Sequence, residues 1–425
     1  MGQGERDARK LAVDRSEVAG EELLGGLLDR AYQVPPRLIT QLVAEQAARI
    51  GGRDAGILLQ DYGQRTLRPL PGSELAAAKP ERLGGSPAGQ AFLHRTVVEE
   101  QEADGVRVYL PLLGGSNAVG VLAVTVDSVD DDDCRLLRRL AALVADILVT
   151  KNAYTDLLCQ ARRSAPMSLS AEIQWALLPP MTMVTPQVAL AGILEPAYDV
   201  AGDSFDYAIN DNVLHLAVID AMGHGLNAAM LAVLTISAYR HARRANVGLA
   251  DLYGLMDAAV EKQFGPDQFV TAQMMRLDAE TGQLQWVNAG HPAPLLIRDR
   301  RVVQSLESPT TLPVGFGGAA PVISDHELRR GDRVLFFTDG AIEEHRAGGQ
   351  QFGIERLTEF AERAGHAGDS VQEMVRALSH TLVQARGGVT TDDTTLLLVE
   401  WRGGLAALAR REDHPTALLA DPCQT

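Results

Sequence analysis

The sequence is poor in three features that would each have narrowed its class. Cysteine occurs three times in 425 residues, as Cys134, Cys159 and Cys423. An odd number at wide spacing supplies neither a disulfide framework nor a zinc-ligand pattern, and points to a reducing compartment. Long apolar runs are missing as well, since no uncharged stretch approaches the roughly 18 residues that a membrane span needs. The start, Met1-Gly2-Gln3-Gly4-Glu5-Arg6-Asp7, is charged where a signal peptide has its apolar core, and Arg6 fails the Ser/Thr position of a myristoylation signal. A soluble, cytoplasmic chain without membrane contact is the expectation. Positive charge is the third shortage: 39 basic against 55 acidic residues leave a formal charge of -16, which disfavours nucleic acid or anionic lipid as a nonspecific partner.

What is present is ordinary globular material. The chain is 46% hydrophobic and 22% charged with 40 Gly and 20 Pro, which excludes a wholly disordered, collagenous or long coiled-coil protein. Its length is two to three times the roughly 150 residues of one domain. Residues 1–37 read as a polar leader. Ile39, Leu42, Val43, Ala47 and Ile50 then recur at helical spacing until Gly51-Gly52 stops them. An apolar run at 55–59 and two strand-like segments, 106–112 and 118–124, follow, with the turn signal Gly114-Gly115-Ser116-Asn117 between the last two. Together, residues 38–150 predict a small α+β domain.

The run Asp130-Asp131-Asp132-Asp133 lacks the spacing and glycine of a calcium loop and reads instead as a cap for the helix after it. From Leu137 the apolar positions Leu140, Val144, Ile147, Tyr154, Leu158 and Ala161 continue a seam through a helical linker over 151–180. Pro166 should interrupt it, and a short helix from Ala171 to Leu178, with Ser170 as its cap, should stop at Pro179-Pro180. Over 181–403 the texture turns to strands at 188–193, 213–219, 270–277, 284–287, 334–337 and 395–401. Helices at 226–243, 249–263, 354–364 and 370–385 interleave with them without strict alternation, so an α+β sandwich is expected. Residues 404–425 read as a tail.

The chemistry concentrates in aspartates at the ends of apolar strands. Leu216-Ala217-Val218-Ile219 runs into Asp220-Ala221-Met222-Gly223-His224-Gly225, and Val334-Leu335-Phe336-Phe337 runs into Thr338-Asp339-Gly340. Asp199 with Gly202-Asp203 and Asp206 forms a third group, and Asp392-Asp393 before the last strand a fourth. One such residue is readily explained as a turn former. Four groups of costly carboxylates at the mouths of buried strands favour a shared cation site instead. Oxygen ligands without cysteine select magnesium or manganese. Two ions bridged by a shared aspartate would generate a metal-bound hydroxide and clamp a phosphoryl group for in-line displacement, so phosphoester hydrolysis is the expected reaction. There is no P-loop, no His-Glu-x-x-His and no Gly-x-Ser-x-Gly elbow.

These residues resemble a known family, the metal-dependent protein serine/threonine phosphatases similar to protein phosphatase 2C, in the bacterial branch of stage II sporulation protein E. The resemblance runs in order through Ala201-Gly202-Asp203-Ser204-Phe205-Asp206, Asp220-Ala221-Met222-Gly223-His224-Gly225, Asn288-Ala289-Gly290-His291-Pro292, Thr338-Asp339-Gly340 and Asp392-Asp393. It implies a C-terminal α/β/β/α sandwich and two manganese or magnesium ions. Asp220 would bridge the ions, Asp203 and the carbonyl of Ala221 would complete one, and Asp339 with Asp392 would hold the other, with Asp220 and Asp339 as the catalytic pair. Asp206, Asp393 and His224 would stand around the ions or bind through water. His224 and His291 are also open to two readings, as general acids or as turn residues bonded to backbone.

The family further implies phosphoserine or phosphothreonine on a bacterial regulatory protein as substrate, typically an anti-sigma factor antagonist. Residues 38–150 resemble a GAF sensor domain by pattern alone, with a PAS-like sensor as the alternative and no residue signature for its small-molecule or protein signal. Relatives of this kind pair as homodimers, and the seam helix is then the candidate coupling element. A catalytically silent scaffold and a metal-dependent nuclease or nucleotide hydrolase are the competing classes. Retention of Asp203, Asp220, Asp339 and Asp392 disfavours the first, and the order of the motifs the second.

Overall fold

Leu23, Leu27 and Ala31 stand four residues apart, and this stripe folds Glu17–Ala31 into a helix, α1, within the segment expected to be a polar leader. The computed structural model describes residues 17–72, 79–199, 202–343, 353–367, 370–385 and 393–405. The chain divides into two compact units between Ser164 and Ala165. No helix of the described residues is long and apolar enough to cross a membrane.

In the first unit α1 is followed by α2 (Ile39–Arg49), β1 (Arg53–Gln60), β2 (Thr66–Pro69), β3 (Glu81–Arg82), α3 (Pro87–His94), β4 (Val98–Glu102), β5 (Gly105–Gly114), β6 (Asn117–Val126), α4 (Asp131–Asn152) and α5 (Leu157–Arg162). The strands form one antiparallel sheet in the order β3-β2-β1-β6-β5-β4. Gly114 pairs with Asn117, so Gly115-Ser116 is a two-residue hairpin loop, and Gly115 takes the positive φ of 61° that such a turn requires. Alternate residues of β5 face opposite ways: Val106, Val108, Leu110 and Leu112 join a core with α1, α2 and α4, whereas Tyr109 packs with α3.

The aspartate run does cap a helix. The Asp133 N–H donates to Asp130 Oδ1 at 2.8 Å and the Asp130 N–H to Asp133 Oδ2 at 3.2 Å, a reciprocal box at the start of α4. The seam expected from Leu137 onward is not free for a partner. Leu137, Leu140, Val144, Ile147 and Leu158 are buried in the unit's own core, and the chain breaks between α4 and α5 rather than running on as one helix. Cys159 is a free thiol.

The second unit comprises α6 (Leu169–Leu177), β7 (Thr182–Val184), β8 (Val188–Glu195), β9 (Asp203–Asn210), β10 (Val213–Ala221), α7 (Gly225–Arg244), α8 (Leu249–Phe264), β11 (Val270–Asp278), β12 (Gln283–Ala289), β13 (Leu295–Arg298), β14 (Arg301–Ser305), β15 (Ser324–Glu327), β16 (Arg333–Phe337), α9 (Gly340–Glu343), α10 (Gly353–Ala367), α11 (Val371–Ala385) and β17 (Thr394–Trp401). Ser168, not Ser170, caps α6 by accepting the Ala171 N–H at 3.2 Å. Two antiparallel sheets, β15-β12-β11-β10-β9 and β14-β13-β16-β17-β8-β7, face each other across an apolar core that includes Phe205, Val218, Trp286, Phe336 and Leu397. Helices α7 and α8 cover the outer face of the first sheet, and α10 and α11 that of the second. The result is the four-layer α/β/β/α sandwich.

Candidate metal centre

Between the two sheets, inward-facing positions are apolar along most of each strand and turn polar at one end. On β9, Phe205 gives way to Asp203; on β10, Leu214, Leu216 and Val218 give way to Asp220. On β11, Leu277 and Met275 precede Gln273 and Thr271, and on β12 Leu284 and Trp286 precede Asn288. Across the gap, β16 passes from Val334 and Phe336 to Thr338, and β17 from Val399 and Leu397 to Thr395. The period of two along a strand therefore brings one polar residue after another to the same end of a dry core.

Asp203 and Asp220 lie directly opposite each other on neighbouring strands. Asp203 is 2% exposed, and its Oδ2 accepts the Thr338 hydroxyl at 2.6 Å. Burial, and then the like charges of Asp220 and Asp393, push its carboxyl well above the usual range, while the Thr338 hydrogen bond opposes that rise. A methyl group at Gly202 would stand 3.0 Å from the carbonyl oxygen of Ala221, and Gly202 holds a φ of 126°. The glycine thus lets the Ala221 carbonyl lie against the backbone that enters Asp203.

Asp339 sits half-buried in the turn after β16, where its carbonyl accepts the Ile342 N–H at 2.8 Å. Gly340 follows because a methyl group there would overlap the carbonyl oxygen of Asp393. This close approach joins the two acidic turns on the second sheet. Asp392 lies outside the described residues, and among those described no three His, Cys, Asp or Glu side chains form a ready cage. The donor chemistry still fits a hard divalent cation: the interacting groups are carboxylates, and a dication relieves the repulsion that burial makes costly at Asp203.

Other sequence candidates are placed differently. Asp206 is an odd number of residues from Asp203 and faces the opposite side of β9, toward α7. There Arg240 Nη2 donates to its Oδ1 at 2.7 Å and Arg243 Nη1 to its Oδ2 at 2.5 Å. Its carboxylate is a buried ion-pair partner of two arginines on the helix face of the sheet, away from the Asp203 side. His291 is buried and pairs through Nδ1 with the Thr271 hydroxyl at 2.9 Å. Burial holds it neutral, with its pKa lowered to about 3. Asn288 braces the same corner by accepting the His291 N–H and donating to the His291 carbonyl, each at 2.8 Å. His224 is exposed in the turn before α7, where its side chain caps nothing.

Thr338 is the residue that sequence reasoning passed over. Besides donating to Asp203 it accepts the Thr395 N–H at 2.9 Å, so one hydroxyl ties both sheets at the polar end. Its position just before Asp339-Gly340, at the inward-facing phase of β16, was the available signal.

Residues 210–402 match the family model of Stage II sporulation protein E (SpoIIE). The chain is 25% identical over 169 residues to the phosphoserine phosphatase RsbP of Bacillus subtilis, a match that covers 38% of this chain and 41% of RsbP. It is 22% identical over 237 residues to the phosphoserine phosphatase RsbU of the same organism, covering 55% of this chain and 69% of RsbU. The chain therefore spans about two-fifths of the length of RsbP. Among solved structures, the SiaA-PP2C domain of Pseudomonas aeruginosa is similar, with a TM-score of 0.47, 22% identity, and coverage of 55% of this chain and 94% of that domain.

Proposed function

We propose, from the match of residues 210–402 to the SpoIIE family model, that the chain is a metal-dependent protein serine/threonine phosphatase. Its substrate is phosphoserine or phosphothreonine on a regulatory protein of a sigma-factor pathway, an anti-sigma factor antagonist. The observation that carries this reading is the in-register pair Asp203 and Asp220 at the polar end of the inter-sheet core, with Asp393 as a third like charge. The phosphoserine phosphatases RsbP and RsbU support the substrate class.

Asp203, Asp220 and the Ala221 carbonyl would hold one side of the centre, and Asp220, Asp339 and Asp392 the other. Bound manganese or magnesium supplies water activation and charge neutralisation at the phosphoryl group. The protein's own part is positional. Thr338 fixes the Asp203 carboxylate, Gly202 and Gly340 let the backbones close in, and Phe205 and Val218 keep the floor of the site dry. The first unit, with an antiparallel sheet between helices, is read as the GAF-like sensor that regulates this activity in a cytoplasmic homodimer.

The test is phosphate release from a phosphoserine peptide and from p-nitrophenyl phosphate, with manganese, magnesium or chelator, by the whole chain and by Asp339→Asn. Metal-dependent turnover that disappears in the variant is the expected result. No turnover on either substrate, with metal demonstrably bound, would replace this reading with that of a silent scaffold.

A further inference from the structure

Where α7 ends, the helix-facing side of the first sheet is left uncovered, and a cavity of about 800 Å³ opens there. Its floor is a cross-strand row. His215 on β10 pairs with Arg276 on β11, which pairs in turn with Gln285 on β12. Further along β10 the same face carries Ala217, Ile219 and Ala221, all packed under α7 and α8. The change from apolar to basic and amide side chains thus coincides with the point at which the helices stop covering the sheet. Arg243 and Arg244, from the last turn of α7, form the wall.

The hydrogen-bonding capacity of this cavity is largely unspent. Arg276 gives Nη2 to the Val247 carbonyl, while its Nε has no hydrogen-bond partner among the described residues. Arg244 is exposed and makes no ion pair among the described residues, and His215 is buried without a hydrogen bond among them. Three guanidinium groups face two carboxylates, Asp211 and Asp278. Of these, Asp278 already accepts the Glu280 and Thr281 N–H groups at 2.9 Å, and Asp211 is exposed. Arg243 is committed to Asp206, which leaves Arg244 and Arg276 as the cations open to a ligand.

We propose that this cavity is a binding site for a phosphorylated small molecule, held through its phosphate oxygens by Arg244 and Arg276. Guanidinium forks match phosphate geometry, and the volume suits a nucleotide-sized compound, with the Gln285 and Asn246 amides available to its remaining polar groups. The site shares no residue with the acidic centre. Arg243 links the two, since it lines the cavity and holds Asp206, three residues from Asp203 on the same strand.

The test uses the full chain in chelator, so that no metal-bound anion contributes, with pyrophosphate and adenosine diphosphate as probes in titration calorimetry. Saturable binding is expected, weaker by roughly tenfold or more in Arg276→Gln and in Arg244→Gln, as the loss of a charge-assisted hydrogen bond implies. Asp220→Asn should bind the probes as the parent does, and circular dichroism checks that each variant folds. Binding that is equal in the parent and both arginine variants, or absent at millimolar probe, overturns the proposal.

Discussion

The Thr338 hydroxyl stands 2.6 Å from Asp203 Oδ2 and crosses from one sheet to the other to reach it. The same oxygen accepts the Thr395 N–H, so the hydroxyl proton can point only toward the carboxylate. A backbone group thereby orients the donor, and the donor orients the buried aspartate.

Thr338→Val keeps the shape of the side chain and removes this bond. Groups that orient a metal ligand typically control roughly 10–100-fold in metal affinity. Manganese affinity, titrated directly, should fall by about that much while the fold is retained. Unchanged affinity would show that Asp203 needs no such brace.

Asp203→Asn separates the cost of the carboxylate cluster from its use. In chelator the variant should melt at or above the temperature of the parent protein, because burial and the charges of Asp220 and Asp393 all disfavour the ionised Asp203. Added manganese or magnesium should raise the melting temperature of the parent and leave the variant nearly unmoved. A parent whose melting ignores both ions would argue against a cation site.

The contrast between Asp203 and Asp206 also marks where the sequence was legible. Strand ends flanked by glycine placed Asp220 and Asp339 at the exits of β10 and β16, because an apolar run followed by Asp and Gly records both the strand and its exit. The segments at 188–193, 213–219, 270–277 and 395–401 were visible for the same reason and lie within β8, β10, β11 and β17. Strand β9 itself was not foreseen, since Asp203-Ser204-Phe205-Asp206 looks like a polar turn until its pairing with β10 is known. Without that strand the odd offset between Asp203 and Asp206 has no meaning, and the two appear to serve one site. The short strand β13 and the edge strand β14 beside it escaped notice, as did α1, whose Leu23 and Leu27 are diluted by charged neighbours.

Asp206→Ala should be costly for a different reason. It strands two guanidinium groups, one of them on Arg243, whose side chain is only 7% exposed. Removing one partner from a buried ion pair typically destabilises by about 3–5 kcal/mol. Denaturant unfolding should record a loss of that order relative to the parent, the same with and without divalent metal. A loss below about 1 kcal/mol, the level of an exposed pair, would mean that the arginines find water or another acceptor.

His291 gives the sharpest dependence on pH. Its pKa is lowered from 6.5 to about 3 by burial, so between these values the unfolded chain binds a proton that the folded chain does not. The histidine therefore costs no stability above pH 6.5 and progressively more as the pH falls toward 3, at up to about 1.4 kcal/mol per pH unit. His291→Gln can keep a hydrogen bond to Thr271 and cannot titrate. Unfolding free energies of the parent and the variant, measured between pH 4 and 6, should diverge in slope by about that amount, the variant losing less on acidification. Titrations common to both proteins, such as those of the carboxylates, cancel in the difference. Parallel slopes would mean that His291 is protonated in the folded protein, and that its corner with Asn288 and Thr271 opens to water.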